Sequence, residues 1–337
     1  MKSCKRINFF THGSSDVGFG HLNRCMEIGK QILATGANVR FNFEGIEDAH
    51  VVSLIEAQLD TTFETAIDAD ISIYDRMDDP QRPEVFDSLL LEGLRSRSSN
   101  TVFIANSFEV PAIHASSVIV GYKGLTARKF NNPNIFWGAQ YTPIPRDIVF
   151  SPTKPWGCRS LSVGLGGGAK ENLMQIIKIV AANRCSERLK VLLSASNSNC
   201  RDEILNLSKT HDLEIEILDR VENVSDFLSD SKVLICSYGH LAYEAISLGI
   251  NVILVAQKPF QHDYGQTLDQ LGLVKNLPEI RYLKEKDLHN AIDQMASAQS
   301  VLSMETQKIK IDNLGITRIA NIILSVLDDS DEMQIQV

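Results

Sequence analysis

Three glycine-rich stretches bring reactive or hydrogen-bonding side chains together at short spacing. The first runs Asp16-Val17-Gly18-Phe19-Gly20-His21-Leu22-Asn23-Arg24-Cys25. Gly18 and Gly20 let the backbone turn sharply and pass close to a ligand. The helix expected after them offers unpaired N–H groups and a positive dipole end. An imidazole placed there can take up a proton near neutral pH, so His21 is the candidate base. A tight βα turn that merely holds a histidine has the same spacing. The stretch lacks the third glycine of the dinucleotide fingerprint, which argues against a nicotinamide dehydrogenase. The second stretch, Gly164-Leu165-Gly166-Gly167-Gly168-Ala169-Lys170-Glu171-Asn172, follows an apolar run and opens a helical pattern, an arrangement that binds anions. It is not a P-loop, because the GK[ST] ending is missing, and a triple glycine also serves as a plain flexible turn. The third is Cys236-Ser237-Tyr238-Gly239-His240-Leu241-Ala242-Tyr243-Glu244-Ala245. Here an apolar strand pattern ends in a small polar loop before a helix. Glu244 falls one turn into that helix, where a carboxylate can accept both hydroxyls of a ribose, although the helix dipole favours an acid there in any case.

Each stretch lies where a strand hands over to a helix. In the first half, Ile7–Phe10, Val39–Phe43, Ile71–Tyr74, Val102–Ala105 and Ser117–Val120 read as strands. His21–Ala34 has helical apolar spacing and is closed by Gly36. Pro143, Pro145, Pro152 and Pro155 then crowd residues 142–157 and exclude helix or central strand. The pattern restarts with strands at Ser160–Leu165, Val191–Ser194, Glu214–Leu218, Val233–Cys236 and Val252–Val255, and a helix at Asn172–Ala182. A last helical stretch covers Ile311–Leu327. Alternation of this kind predicts α/β domains with parallel sheets covered on both faces. The expected organisation is a Rossmann-like domain over 1–145, a linker over 146–157 and a second Rossmann-like domain over 158–330. In open α/β sheets a ligand lies outside the carboxyl ends of the strands, which is where His21 would stand.

A chain of 337 residues exceeds what one core usually supports, consistent with two domains. Apolar residues make up 44% and charged residues 22%, ordinary values for a soluble globular protein. The formal charge of -9 disfavours nucleic acid as a partner but leaves room for an anionic small ligand held by backbone N–H groups. Cys4, Cys25, Cys158, Cys185, Cys200 and Cys236 form no CxxC pair, so they are expected to be reduced, mostly buried and without a zinc framework. The N-terminal run reads as a first strand, not a signal peptide, and no apolar stretch reaches membrane-span length, which predicts a cytoplasmic protein.

The stretch DVGFGHLNRCMEIGKQI resembles the N-terminal signature of the UDP-diacetamido-sugar hydrolases of pseudaminic acid biosynthesis and of the related spore-coat polysaccharide proteins. SYGHLAYEAISLGINVILVAQKPFQHDYGQTLDQLG is similar to the nucleotide-binding segment of that family and to that of the peptidoglycan N-acetylglucosaminyltransferase. Gly138-Ala139-Gln140-Tyr141, with Arg146 five residues on, resembles the family's segment before the linker. The resemblance implies a GT-B fold, two Rossmann-like domains with the active site in the cleft between them. It implies that His21 is the base acting on water and that Glu244 binds the ribose. It puts Asp16, Gly18, Gly20, Arg24, Asp75, Asn106, Tyr141 and Arg146 on the sugar side. Gly166, Gly167, Gly168, Asn172, Ser237, Tyr238, Gly239 and Gln261 join Glu244 on the nucleotide and diphosphate side. The family's Asp-His-Tyr run stands here as Tyr74-Asp75-Arg76-Met77, keeping the aspartate but not the aromatic, and a later acidic pair stands as Asn106-Ser107. The activity so implied is hydrolysis of a nucleotide-activated sugar, with no metal or cofactor, since helix termini can carry the leaving charge. A glycosyltransferase with an alcohol acceptor, and a non-catalytic nucleotide-sugar binder, are the alternatives.

Overall fold

A computed structural model describes residues 4–13, 20–46, 48–65, 67–75, 93, 96–105, 118–121, 134–145, 160–182, 188–219, 224–228, 230–297 and 311–334. The chain divides into two compact units, one made of Met1–Pro145 with Asp312–Val337, the other of Arg146–Ile311.

The first unit holds a seven-stranded sheet of β1 (Lys5–Thr11), β2 (Val39–Glu44), β3 (Thr61–Thr62), β4 (Ala69–Asp75), β5 (Ser98–Ala105), β6 (Val118–Gly121) and β7 (Ile135–Trp137). Their order is β3-β2-β1-β4-β5-β6-β7 and every pairing is parallel. Helix α1 (Gly20–Leu33) follows β1, and α2 (Ala49–Glu56) follows β2. Ile7, Phe9, Ile71, Ile73, Val102 and Ile104 point to one face and meet Leu22, Cys25, Ile28 and Ile32 of α1. Strand order grows outward one way from β1 to β3 and then restarts on the other side with β4. The reversal makes a switch point between β1 and β4, where Thr11 and Asp75 are register partners.

The second unit repeats the plan with β8 (Ser160–Gly164), α3 (Lys170–Ala182), β9 (Arg188–Leu193), α4 (Arg201–His211), β10 (Glu214–Asp219), α5 (Val224–Leu228), β11 (Ser231–Cys236), α6 (His240–Ser247), β12 (Asn251–Val255), α7 (Pro259–Gln270), β13 (Val274–Leu277) and α8 (Glu285–Ser297). The sheet order is β10-β9-β8-β11-β12-β13, again all parallel, with the switch point between β8 and β11. Asn251-Val252-Ile253-Leu254-Val255 is buried along its whole length, as a strand covered on both faces must be.

One boundary differs from the expectation. The terminal helix α9 (Gly315–Gln334), assigned from sequence order to the second domain, packs on the first unit. Its stripe Ile316, Ile319, Ala320, Ile323 and Leu327 belongs to the core built on β1, β4, β5 and α1. Helical spacing shows that such a stripe needs an apolar partner; it does not say which sheet provides it. The linker 146–157, and with it Arg146, lies outside the described residues, as do Asp16, Gly18, Asn106, Cys158 and Cys185. Cys25, Cys200 and Cys236 are buried free thiols and Cys4 is exposed. Among the described residues no helix is long and apolar enough to cross a membrane.

Candidate functional site

At the first unit's switch point, α1 presents His21, Arg24 and Cys25 on one face. Their spacing of i, i+3 and i+4 aligns them along the helix, and all three converge on Asp75 at the end of β4. His21 Nδ1 lies 2.8 Å from Asp75 Oδ1. Arg24 Nε donates to Oδ2 at 2.5 Å, Arg24 Nη2 donates to Oδ1, and the Cys25 thiol points to Oδ2 at 3.5 Å. His21, Arg24 and Asp75 are 7%, 3% and 0% exposed, so the cluster is a buried ion network and not a solvated face. Burial alone would lift the Asp75 carboxyl. The Arg24 guanidinium and the His21 hydrogen bond outweigh it and hold the group well below the usual carboxylate range. An ionised Asp75 can only accept, which assigns the proton of a neutral His21 ring to Nδ1. The 3.1 Å approach of Arg24 Nη2 to Nδ1 is then that of two donors sharing one carboxylate oxygen. Burial, followed by the Asp75 charge, pushes the Cys25 thiol well above its ordinary value, so it is a donor and not a nucleophile.

A second imidazole stands beside this cluster. The His12 ring meets the His21 ring edge-on, with centroids 4.9 Å apart. Its one signal in the sequence is its place directly after β1. Arg24 and Asp75, both expected on the sugar side, bond to each other and to His21. Gly20 opens α1 immediately before His21. Tyr141 lies beyond β7, edge-on to Phe136, and two strands stand between β7 and β4. The fold therefore does not bring it into the His21 cluster.

In the second unit the two loops that flank the switch point are joined by a residue outside the glycine-rich stretches. Gln257 follows β12. Its Nε2 lies 3.0 Å from Leu165 O, 3.0 Å from Gly167 O and 3.1 Å from Ser237 Oγ. Asn172 Nδ2 donates to its Oε1 at 3.1 Å. Gln261 Oε1 accepts the backbone N–H of Gln257 at 2.8 Å and that of Lys258 at 3.2 Å, and Gln261 Nε2 reaches Tyr238 O at 3.5 Å. Gly167, Asn172, Ser237, Tyr238 and Gln261 are thus brought together. Gly166 (φ 72°) and Gly168 (φ 148°) both take backbone conformations that favour glycine, and a Cβ on Gly168 would overlap the Gln257 amide. Ser237 also donates to Val255 O at 3.1 Å. Gly239 immediately precedes α6, and Glu244 is buried one turn in. Burial, and then the Glu244 charge, raises the thiol of Cys236 at the end of β11. Tyr238 and Tyr243 share a hydroxyl–hydroxyl bond of 2.7 Å.

No protein-family model matches the sequence. An uncharacterized protein of Methanocaldococcus jannaschii is 22% identical over 278 residues, 77% of this chain and 57% of the relative, so the chain spans little more than half that protein's length. Among solved structures, MurG of Acinetobacter baumannii superposes with a TM-score of 0.61 at 13% identity, covering 95% of this chain and 99% of that one. The glycosyltransferase of kitacinnamycin gives 0.64 at 12%, covering 96% and 99%. The UDP-GlcNAc 2-epimerase of Neisseria meningitidis, solved with UDP-GlcNAc bound, gives 0.52 at 10%, covering 95% and 100%. At such identities the likeness is one of fold. The two doubly wound, all-parallel α/β units give this chain the GT-B fold.

Proposed function

We propose that the chain transfers a sugar from a nucleotide-sugar donor to the hydroxyl of an alcohol, as a glycosyltransferase. The observation that carries this reading is the buried His21–Asp75–Arg24 cluster at the end of β1 and β4. In a neutral imidazole whose Nδ1–H is bonded to a carboxylate, Nε2 is the nitrogen that takes a proton from an oxygen nucleophile. The nucleophile's O–H proton goes to Nε2, its oxygen bonds to the anomeric carbon, and the bond from that carbon to the diphosphate oxygen breaks. The nucleoside diphosphate leaves with the electron pair. The loop Ser237–Gly239 at the start of α6 would take the leaving charge through backbone N–H groups, and Glu244 would accept the ribose hydroxyls. The glycosyltransferase of kitacinnamycin, among the structures of like fold, favours transfer over hydrolysis. The second reading has water as acceptor, and the resemblance of DVGFGHLNRCMEIGKQI to a hydrolase signature favours it.

The test is incubation of the full chain with UDP-, GDP- and CMP-sugars, with and without acceptor alcohols, following released nucleotide. Release that depends on acceptor supports the transferase, and equal release without acceptor supports the hydrolase. No release from any donor would sink both. His21→Asn keeps size and polarity but cannot act as the base, so turnover should fall at least ~10²-fold with donor affinity and thermal midpoint nearly unchanged. Early melting with normal turnover of the folded enzyme would make His21 a scaffold residue.

A further inference from the structure

We propose that Arg24 is a positioning residue for the base, holding the Asp75 charge so that His21 stays neutral and able to take a proton near neutral pH; this rests on the role given to His21 above. A buried carboxylate bonded to a histidine favours the charged ring, because the added proton then neutralises the pair. An imidazole held in that form has no lone pair left to accept a proton. Asp75 Oδ1 lies 2.8 Å from His21 Nδ1 and Asp75 has no exposed surface, so such a pair by itself would fix His21 as a counter-ion. Arg24 changes the balance. Its Nε donates to Oδ2 at 2.5 Å and its Nη2 donates to Oδ1, the same oxygen that His21 meets. The guanidinium is always charged, and here it is only 3% exposed. It therefore supplies the counter-charge that Asp75 needs, whatever the state of His21. A proton on His21 would then put a second positive charge 3.1 Å from Arg24 Nη2 in a buried site. The other titratable groups that face His21 among the described residues do not reverse this. Burial, and then the Asp75 charge, pushes the Cys25 thiol of α1 up, so it stays protonated and uncharged. His12 stands directly after β1 with its ring edge-on to His21, and a charge on it would oppose a proton on His21 further. Arg24 follows His21 by three residues, so the helix turn that presents the base also presents the group that keeps it neutral.

The test is a pH titration of His21 in the full chain, read from the imidazole C–H signals by NMR and assigned with His21→Asn. Arg24→Met keeps much of the apolar stem and removes the charge. The His21 midpoint should then rise by at least ~1 pH unit, the scale of one nearby charge on a buried group. Arg24→Lys keeps the charge without the two-bond fork and should hold the midpoint near that of the unsubstituted chain. Arg24→Met with Asp75→Asn removes both charges and should bring the midpoint back down from that of Arg24→Met. Arg24→Lys and this double variant serve if Arg24→Met alone fails to fold: the proposal then requires that neither midpoint rises above that of the unsubstituted chain by ~1 unit. His12→Gln separates the titration of the neighbouring imidazole from that of His21. In turnover, the acid limb of kcat/KM against pH should move up with the midpoint in Arg24→Met, and the rate should recover above the limb. A donor KM raised at every pH with the His21 midpoint unmoved would make Arg24 a sugar contact. Earlier melting with both midpoint and acid limb unmoved would make it a scaffold residue, and either result overturns the proposal. The titration needs no donor. A chain with normal turnover and an unmoved midpoint in Arg24→Met loses this proposal alone, whereas a chain that turns over no donor loses the function proposed above and with it the role of Arg24 toward a base.

Discussion

Asp75 is met by three side chains of one helix. Two bonds from Arg24, one from His21 and a thiol contact from Cys25 reach a carboxylate with no exposed surface. Removing one member of such a buried pair leaves the other charge uncompensated and costs roughly 3–5 kcal/mol. Asp75→Asn strands the Arg24 guanidinium, so we expect a loss of that order at neutral pH in urea denaturation. The sign with pH follows from the lowered Asp75 value. Its stabilisation is present above the unfolded carboxyl pKa of about 3.9 and is lost as pH falls from there toward the folded value. The gap between the unsubstituted chain and Asp75→Asn should therefore be full at pH 7 and narrow progressively below about pH 4. A gap that stays constant down to pH 2 would mean that Asp75 does not carry its charge in the fold. Arg24→Met with Asp75→Asn should recover part of the loss, since the pair interacts directly. Sequence spacing exposed half of this network. His21, Arg24 and Cys25 could be placed on one helix face, but their common partner lies 50 residues or more away, and no local pattern records a contact made by sheet register.

At the scale of elements, the strands and glycine turns were readable because parallel strands buried on both faces appear as apolar runs punctuated by Gly. Short edge strands were not. Thr61–Thr62 and Ile135–Trp137 are too brief to give a period, and they exist because a longer neighbour offers a free ladder. The second unit's loops were legible as glycine motifs, whereas the place of Gln257 was not, since it lies outside the glycine-rich stretches and reaches them only once β8, β11 and β12 are adjacent. The C-terminal helix shows the same limit at a contact. Gly315 at its start passes so close to Thr142 that a Cβ would overlap the Thr142 carbonyl, and Arg318 donates to Gln140 O at 2.8 Å. In an exposed helix interior, Gly→Ala is favourable by up to about 1 kcal/mol. Here the clash should win. We expect Gly315→Ala to destabilise the first unit by about 1–3 kcal/mol, the usual range for overpacking. A raised thermal midpoint would show that this approach is not tight.

For the molecule as a whole, the division of the chain matters more than its length. The second unit is continuous, and among the described residues the buried members of its core run from Leu161 to Met295. The first is discontinuous: Ile316, Ile319, Ala320, Ile322, Ile323 and Leu327 join a core whose other buried members among the described residues run from Ile7 to Ile104. Fully burying one such side chain contributes about 1.5–3 kcal/mol, before the offsetting entropy of ordering the helix. Several of them together rival the 5–15 kcal/mol that separates a folded domain from its unfolded state. A chain ending at Ile311 should therefore lose the first unit and keep the second. Hydrogen exchange should show strong protection over β8, β9, β11 and β12 and none over β1 and β4, where the complete chain protects both sets. On the proposed function, UDP binding should survive this truncation, because Gly166–Gly168 and Glu244 lie in the second unit, while turnover should vanish with His21. Adding the 312–337 segment as a separate peptide should restore protection over β1 and β4 if the helix acts through its packing alone. Undiminished protection over β1 and β4 in the shortened chain would show that the first unit folds without its last helix, and the division of the molecule drawn from the core contacts would be wrong.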